Sequence, residues 1–224
     1  MFHEALQQIT SEVQLASLYG ADYILFHYPF YPTFQAPFRP YPRLPDVERR
    51  YSNSQLSRGL FKERSQELFE HLSTLQLHYG QRIVLEHDFF GEYEDILIDQ
   101  FHAFPDIQFV LDTARLDITR RAFPGFDPYA FLDQIAPHVY LVHYSNVFYE
   151  EHAFTHHLPV LALHEHDDNF GDSLAYLRYL ATSNQAFHLT FEHQADRISR
   201  QELYQVYQQT ATLLEERGGP VLNR

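Results

Sequence analysis

The chain has 224 residues, 45% of them apolar and 16% aromatic, a globular composition that excludes a disordered chain. Acidic residues outnumber basic ones 30 to 16, for a formal charge of −14; such a field repels phosphate backbones, so nucleic acid is disfavoured as a partner and cations are favoured. Cysteine is absent, which removes disulfides and thiolate zinc sites and fits a reducing cytoplasm, and no apolar run is long enough to cross a bilayer.

The opening "MFHEALQQIT" has none of the basic–apolar layout of a signal peptide, so a cytoplasmic location is expected. Apolar groups at helical spacing (Phe2, Leu6, Ile9, Val13, Leu15, Leu18) predict a helix over 2–19, stopped by Gly20. "YILFH" at 23–27 reads as a buried strand. The stretch 28–54 holds six prolines and many aromatics, which exclude a regular helix or central strand; it reads as a substrate lid or as core cover. A helix over 55–79, a strand at 82–86, a short helix near 93–101 and a strand at 107–112 follow. A loop leads to a helix near 127–135, then a strand at 138–143, a second long loop at 144–158 and a possible short strand, "VLALH", at 160–164. A helix at 172–183, a strand at 187–192 and a last helix at 199–217 close the chain, with "GG" as the stop. Strands alternate with helices and no linker interrupts them, which predicts one α/β domain over 1–224 with a parallel sheet.

The carboxyl ends of the five clearest strands carry the chemistry. They are His27, Glu86, Asp112, His143 and Glu192, all Asp, Glu or His, types that supply only about one residue in five of the chain. In a parallel barrel or open α/β sheet these ends open onto one face, so residues far apart in sequence converge. Carboxylates packed together repel one another unless a cation neutralises them. Glu86, Asp112, His143 and Glu192 form an oxygen-rich donor set with one imidazole, suited to Mn²⁺, Mg²⁺ or Co²⁺, with Zn²⁺ also compatible. Each acidic strand end also has a plain reading as a helix cap or turn residue. His27 has another as a histidine entering a proline turn. His87 and His193, next to two of these positions, read as local hydrogen-bonding groups, and "LHEHDD" at 163–168 as a solvated acidic loop.

In order, "ADYILFHYP", "IVLEH", "FVLDTARLDI", "VYLVHYSN", "HHLPV" and "LTFEH" resemble the xylose isomerase-like TIM-barrel superfamily over almost the whole chain. The resemblance implies a TIM-barrel-like parallel sheet of about six βα units, short of the first two, and a homodimer that covers the opening. It also implies a divalent-metal-dependent isomerase or epimerase of a small sugar or polyol. Glu86, Asp112, His143 and Glu192 would hold one ion, with Glu86 and Glu192 also moving protons on opposite faces of the substrate. His27, Arg115 and His157 would contact substrate. Three departures bear on this. "LEH" replaces the usual "LEN", "HYSN" replaces the usual His-x-Asp, and "DTAR" puts Arg115 where a multinuclear centre has histidine. The last argues against the abasic-site endonuclease branch and offers a guanidinium for a carboxylate or phosphate. With no glycine-rich phosphate cradle in the sequence, an unphosphorylated or acidic substrate is expected. The other reading is a truncated, non-catalytic barrel that binds a ligand or partner.

Overall fold

The computed structural model describes residues 2–28, 43, 57–87 and 93–215. Most of the aromatic stretch 28–54 and the "GG" stop therefore lie outside the described residues.

Helix α1 (Phe2–Leu18) packs Leu6, Ile9 and Val13 inward and leads to strand β1 (Ile24–Tyr28). Helix α2 (Arg58–Tyr79) is capped at both ends: Ser57 accepts from the Leu60 N–H, and Gly80 closes the last turn at φ 64°, a left-handed conformation that costs glycine little. Strand β2 (Ile83–His87) is buried throughout. Next come α3 (Glu94–Ala103), β3 (Gln108–Asp112), α4 (Thr113–Ala122) and α5 (Pro128–Ile135). Asp127 caps α5 and Pro128 fills its first turn, where the missing N–H is no loss. Strand β4 (Val139–Tyr144) precedes a hairpin of β5 (Asn146–Tyr149) and β6 (Phe154–Leu158), and α6 (Ser173–Ser183), β7 (His188–Phe191) and α7 (Arg200–Glu215) follow.

Strands β1, β2, β3, β4 and β7 form one parallel sheet in that order. Side chains alternate across it. On one face Ile83, Leu85, Phe109, Leu111, Val142 and Tyr144 join a large core with the helices; each such side chain contributes about 1.5–3 kcal/mol of burial. On the other face Leu25, Val84, Val110 and Leu141 form a smaller apolar layer. Two residues further along each strand stand His27, Glu86, Asp112 and His143, so the same alternation that buries the layer lifts these polar groups above it. Among the described residues nothing pairs with the outer edges of β1 and β7. The sheet is an incomplete barrel. No described helix is long and apolar enough to cross a membrane.

Three elements differ from the sequence expectation. The loop expected after 112 is helix α4; its buried face includes Thr113, Asp117 and Thr119, so polar core residues hide the apolar period. The loop expected over 144–158 contains the antiparallel β5–β6 hairpin. The strand expected at 160–164 is instead a short 3-10 turn over Ala162–His164 with no buried residue. Pro159 removes a ladder donor there, and the place beside β4 belongs to β7. Among the described residues the parallel sheet accordingly has five strands.

The hairpin is anchored to α4. The Gly171 N–H donates to the Val147 carbonyl at 2.8 Å, and a Cβ at 171 would stand 2.7 Å from both Asn146 Oδ1 and Val147 Cγ1 and 3.1 Å from Asp117 Cγ. Gly171→Ala should therefore cost about 1–3 kcal/mol by overpacking, measurable by denaturant unfolding. An unchanged midpoint would mean that the hairpin shifts freely over α4.

Candidate metal centre

The register of the sheet assembles the centre. His27 is level with Glu86 across β1–β2, and Asp112 is level with His143 across β3–β4. Glu192 follows β7 directly, and its N–H donates to the Tyr144 carbonyl at 3.1 Å. Glu86 and Asp112 are almost fully buried, at 2% and 1% exposure.

Glu86 is bracketed. Its Oε1 lies 2.9 Å from His143 Nδ1 and its Oε2 3.1 Å from His27 Nε2, and Arg115 Nε stands 3.9 Å from Oε1. Burial opposes its ionisation, but the His143 bond and the charges of Arg115, His143 and His27 outweigh that and hold the carboxyl at about 2. His143 is the reciprocal case: burial favours the neutral ring, and the bond to Glu86 and the surrounding carboxylates outweigh it and raise its pKa. Glu192 differs. Burial raises its pKa, with Asp112 and Glu86 adding to the rise and the charges of His143 and His157 opposing it. Its Oε2 is buried and accepts no hydrogen bond, although His143 Nδ1 and His157 Nδ1 lie 3.5 and 3.7 Å away.

Asp112 is occupied by its own helix. Oδ1 accepts from the Ala114 and Arg115 N–H groups at 2.8 and 3.1 Å, capping α4, and Oδ2 accepts from Arg115 Nε at 3.0 Å. Arg115 Nη1 lies 3.5 Å from His27 Nδ1 and 3.4 Å from the His87 carbonyl. His157 lies at the hairpin end with φ 57°, an uncommon conformation for a residue other than glycine. Its Nδ1 is 3.2 Å from the Glu192 carbonyl oxygen, and its own carbonyl accepts from Gln194 at 2.9 Å.

Every candidate site residue is thus brought to one place. Among the described residues, Glu86, His143 and Glu192 form a group whose ligand atoms lie within 4.8 Å of one another. An ion bound at about 2.1 Å sets its ligand atoms roughly 3–4 Å apart, so small side-chain adjustments suffice. The orphaned Glu192 oxygen and the charge-dense donor set both fit a cation.

No family model matches the sequence, and no curated protein does. Solved structures do. A xylose isomerase domain protein from Planctomyces limnophilus is 15% identical with a TM-score of 0.56, over 95% of this chain and 67% of its own. The IolI protein with a bound zinc atom is 13% identical with a TM-score of 0.59, over 96% and 70%. A xylose isomerase-like TIM-barrel protein from Mycobacterium smegmatis in complex with magnesium is 16% identical with a TM-score of 0.54, over 96% and 67%.

The chain has the xylose isomerase-like barrel fold. It spans about two thirds of the length of these barrels. In such a barrel the carboxyl ends of the strands form the site face, and that is the face where Glu86, His143 and Glu192 meet.

Of two further groups around this site, one bears out its sequence reading as a local hydrogen-bonding group and one escapes the sequence. His87 is fully buried and stacks on Phe109 with ring centroids 5.3 Å apart. The Asp112 N–H donates to its Nε2 at 3.2 Å, so this histidine ties β2 to the end of β3. The other is Asp117, fully buried two residues beyond Arg115, on which two tyrosines and two arginines converge. Its partners lie 3 to 59 residues away in sequence, and no spacing rule could have found the long-range ones. The "LHEHDD" segment is an exposed loop, as expected, with His164 stacked 3.6 Å from Phe170 and Glu165 bonded to Arg178.

Proposed function

We propose that the chain is a divalent-metal-dependent isomerase or epimerase of a small sugar or polyol, with its centre on Glu86, Asp112, His143 and Glu192. The observation that carries this reading is the convergence of Glu86, His143 and Glu192 around an unpartnered, buried carboxylate oxygen. The zinc and magnesium found with two similar barrels support it.

When bound, a divalent ion would polarise a substrate carbonyl and lower the cost of an enediolate. The remaining work belongs to the side chains. Glu192, its pKa raised by burial, is suited to take a proton from carbon. Glu86 is held ionised by its two histidines and supplies fixed negative charge and the second carboxylate of the pair. His143 stands between them and keeps both oriented. His27, Arg115 and His157 border the same centre and contact the substrate. A second copy covering the open edges of β1 and β7 completes this reading.

The test is elemental analysis after dialysis against Mn²⁺, Mg²⁺, Co²⁺ or Zn²⁺, followed by a sugar screen with the loaded protein. Retention of about one ion per chain is expected. Mn²⁺ at a hundred times its Kd should add about 2.7 kcal/mol of stability, a melting shift of roughly 5–10 °C for a chain of this size. No retained ion and no shift would remove the reading and favour a non-catalytic barrel.

A further inference from the structure

We propose that Asp112 is not a metal ligand: the ion rests on Glu86, His143 and Glu192 alone, and Asp112 forms an internal ion pair with Arg115 that stands in for the fourth ligand. This rests on the metal reading above and narrows it. Both Asp112 oxygens are engaged within the first turn of α4, Oδ1 by two backbone N–H groups and Oδ2 by the Arg115 side chain three residues on. Freeing Oδ2 for an ion would strip a guanidinium of its buried partner, and turning the carboxylate would undo the helix cap. The set of ligand atoms close enough to share one ion leaves Asp112 out accordingly.

The charges agree with this division. Asp112 and Arg115 cancel, and Glu86 with Glu192 balances the charge of a divalent ion. Three protein ligands also leave positions open for water and substrate, as a catalytic site needs and a closed structural site does not. Arg115 therefore also acts as a positioning residue, beside its contact with substrate. It fixes Asp112 and, at 3.9 Å from Glu86 Oε1, limits how far Glu86 can turn from the ion.

Replacing Asp112 alone would mislead, because it would leave Arg115 uncompensated beside the ion and weaken binding through space. The informative variant removes the neutral pair together. Co²⁺ is titrated into the wild type, the double variant Asp112→Asn/Arg115→Met and Glu192→Gln, with the visible spectrum as readout and apo melting curves as the fold control. Asparagine caps a helix as well as aspartate does, so α4 persists. The double variant should bind within about threefold of the wild type with the same spectrum, whereas Glu192→Gln should weaken binding by at least about thirtyfold.

A double variant that melts normally but binds tenfold more weakly, or with a changed spectrum, would overturn the proposal. Should it fail to fold, Asp112→Asn alone decides by spectrum rather than affinity. It keeps the helix cap, so an unchanged Co²⁺ spectrum supports the proposal and a changed one means that Asp112 is a ligand. No Co²⁺ uptake by the wild type would sink the metal reading itself, an outcome distinct from either of these.

Discussion

Replacing Asp117 by alanine should cost about 3–5 kcal/mol, the loss expected when one partner of a buried charge network is removed. Asp117 is fully buried and accepts from six directions. Tyr176 OH and Tyr149 OH each donate at 2.8 Å, Arg120 Nη2 and Nε at 2.8 and 3.1 Å, the Asp172 N–H at 3.2 Å and Arg121 Nε at 3.4 Å. Those donors come from β5, α6, the 168–172 loop and α4 itself, so this one carboxylate ties the hairpin and a covering helix to the helix that Asp112 caps. Burial and the adjacent carboxylate push both tyrosine hydroxyls well above their usual range, so neither can ionise to replace the lost charge.

In Asp117→Ala both hydroxyls lose their acceptor in a dry environment, and two guanidiniums lose their anion; Asp172, 3.1 Å from Arg120, compensates only one. Asp117→Asn keeps an acceptor oxygen but not the charge, and should fall between the two. Denaturant unfolding with an unchanged m-value would read the difference, alongside a melting shift on the order of 10 °C. A loss below about 1 kcal/mol in the alanine variant would show that water satisfies the network, and that α4 holds its place by apolar packing alone.

The contrast between Glu192 and Asp117 shows what a sequence can disclose. Glu86, His143 and Glu192 were legible because a parallel sheet makes one rule do long-range work: strand ends meet. Five apolar runs closing on ionisable residues were enough to place them. Asp117 obeys no such rule, since its partners reach it through loops and helix faces. Helix α4 was hidden for a related reason, because its buried face carries Thr113, Asp117 and Thr119 where an apolar stripe would have announced it. The hairpin was missed because its strands span only 4 and 5 residues and carry asparagine and two histidines among their apolar groups. At 160–164 apolar residues suggested a strand, yet Leu163 is 73% exposed; composition alone could not reveal that the sheet position was taken. The spacing of Asp112 and Arg115 in "DTAR" was visible, but not that the arginine folds back on the aspartate. That depends on a helix starting at Thr113.

Under the proposed isomerase or epimerase activity, Glu192→Gln should lower kcat by about 10²–10⁴, the usual worth of a positioned general acid–base group, while moving the apo melting point little. Its side chain is 37% exposed and its Oε2 accepts no hydrogen bond, so the fold gains little from the charge, and the isosteric amide fills the same space. Glu86→Gln makes the opposite test. That side chain is 3% exposed and meets a histidine nitrogen at each oxygen, at 2.9 and 3.1 Å. A glutamine there accepts at only one end and confronts the other histidine with its own NH₂ group. It should therefore lose both activity and about 1–3 kcal/mol of stability. The two variants separate proton transfer from structural charge. If Glu192→Gln retained full turnover with the ion bound, proton movement would have to be assigned to another group. If it melted as far below the wild type as Glu86→Gln, its carboxylate would be part of the scaffold, and the unpartnered oxygen would owe nothing to a ligand.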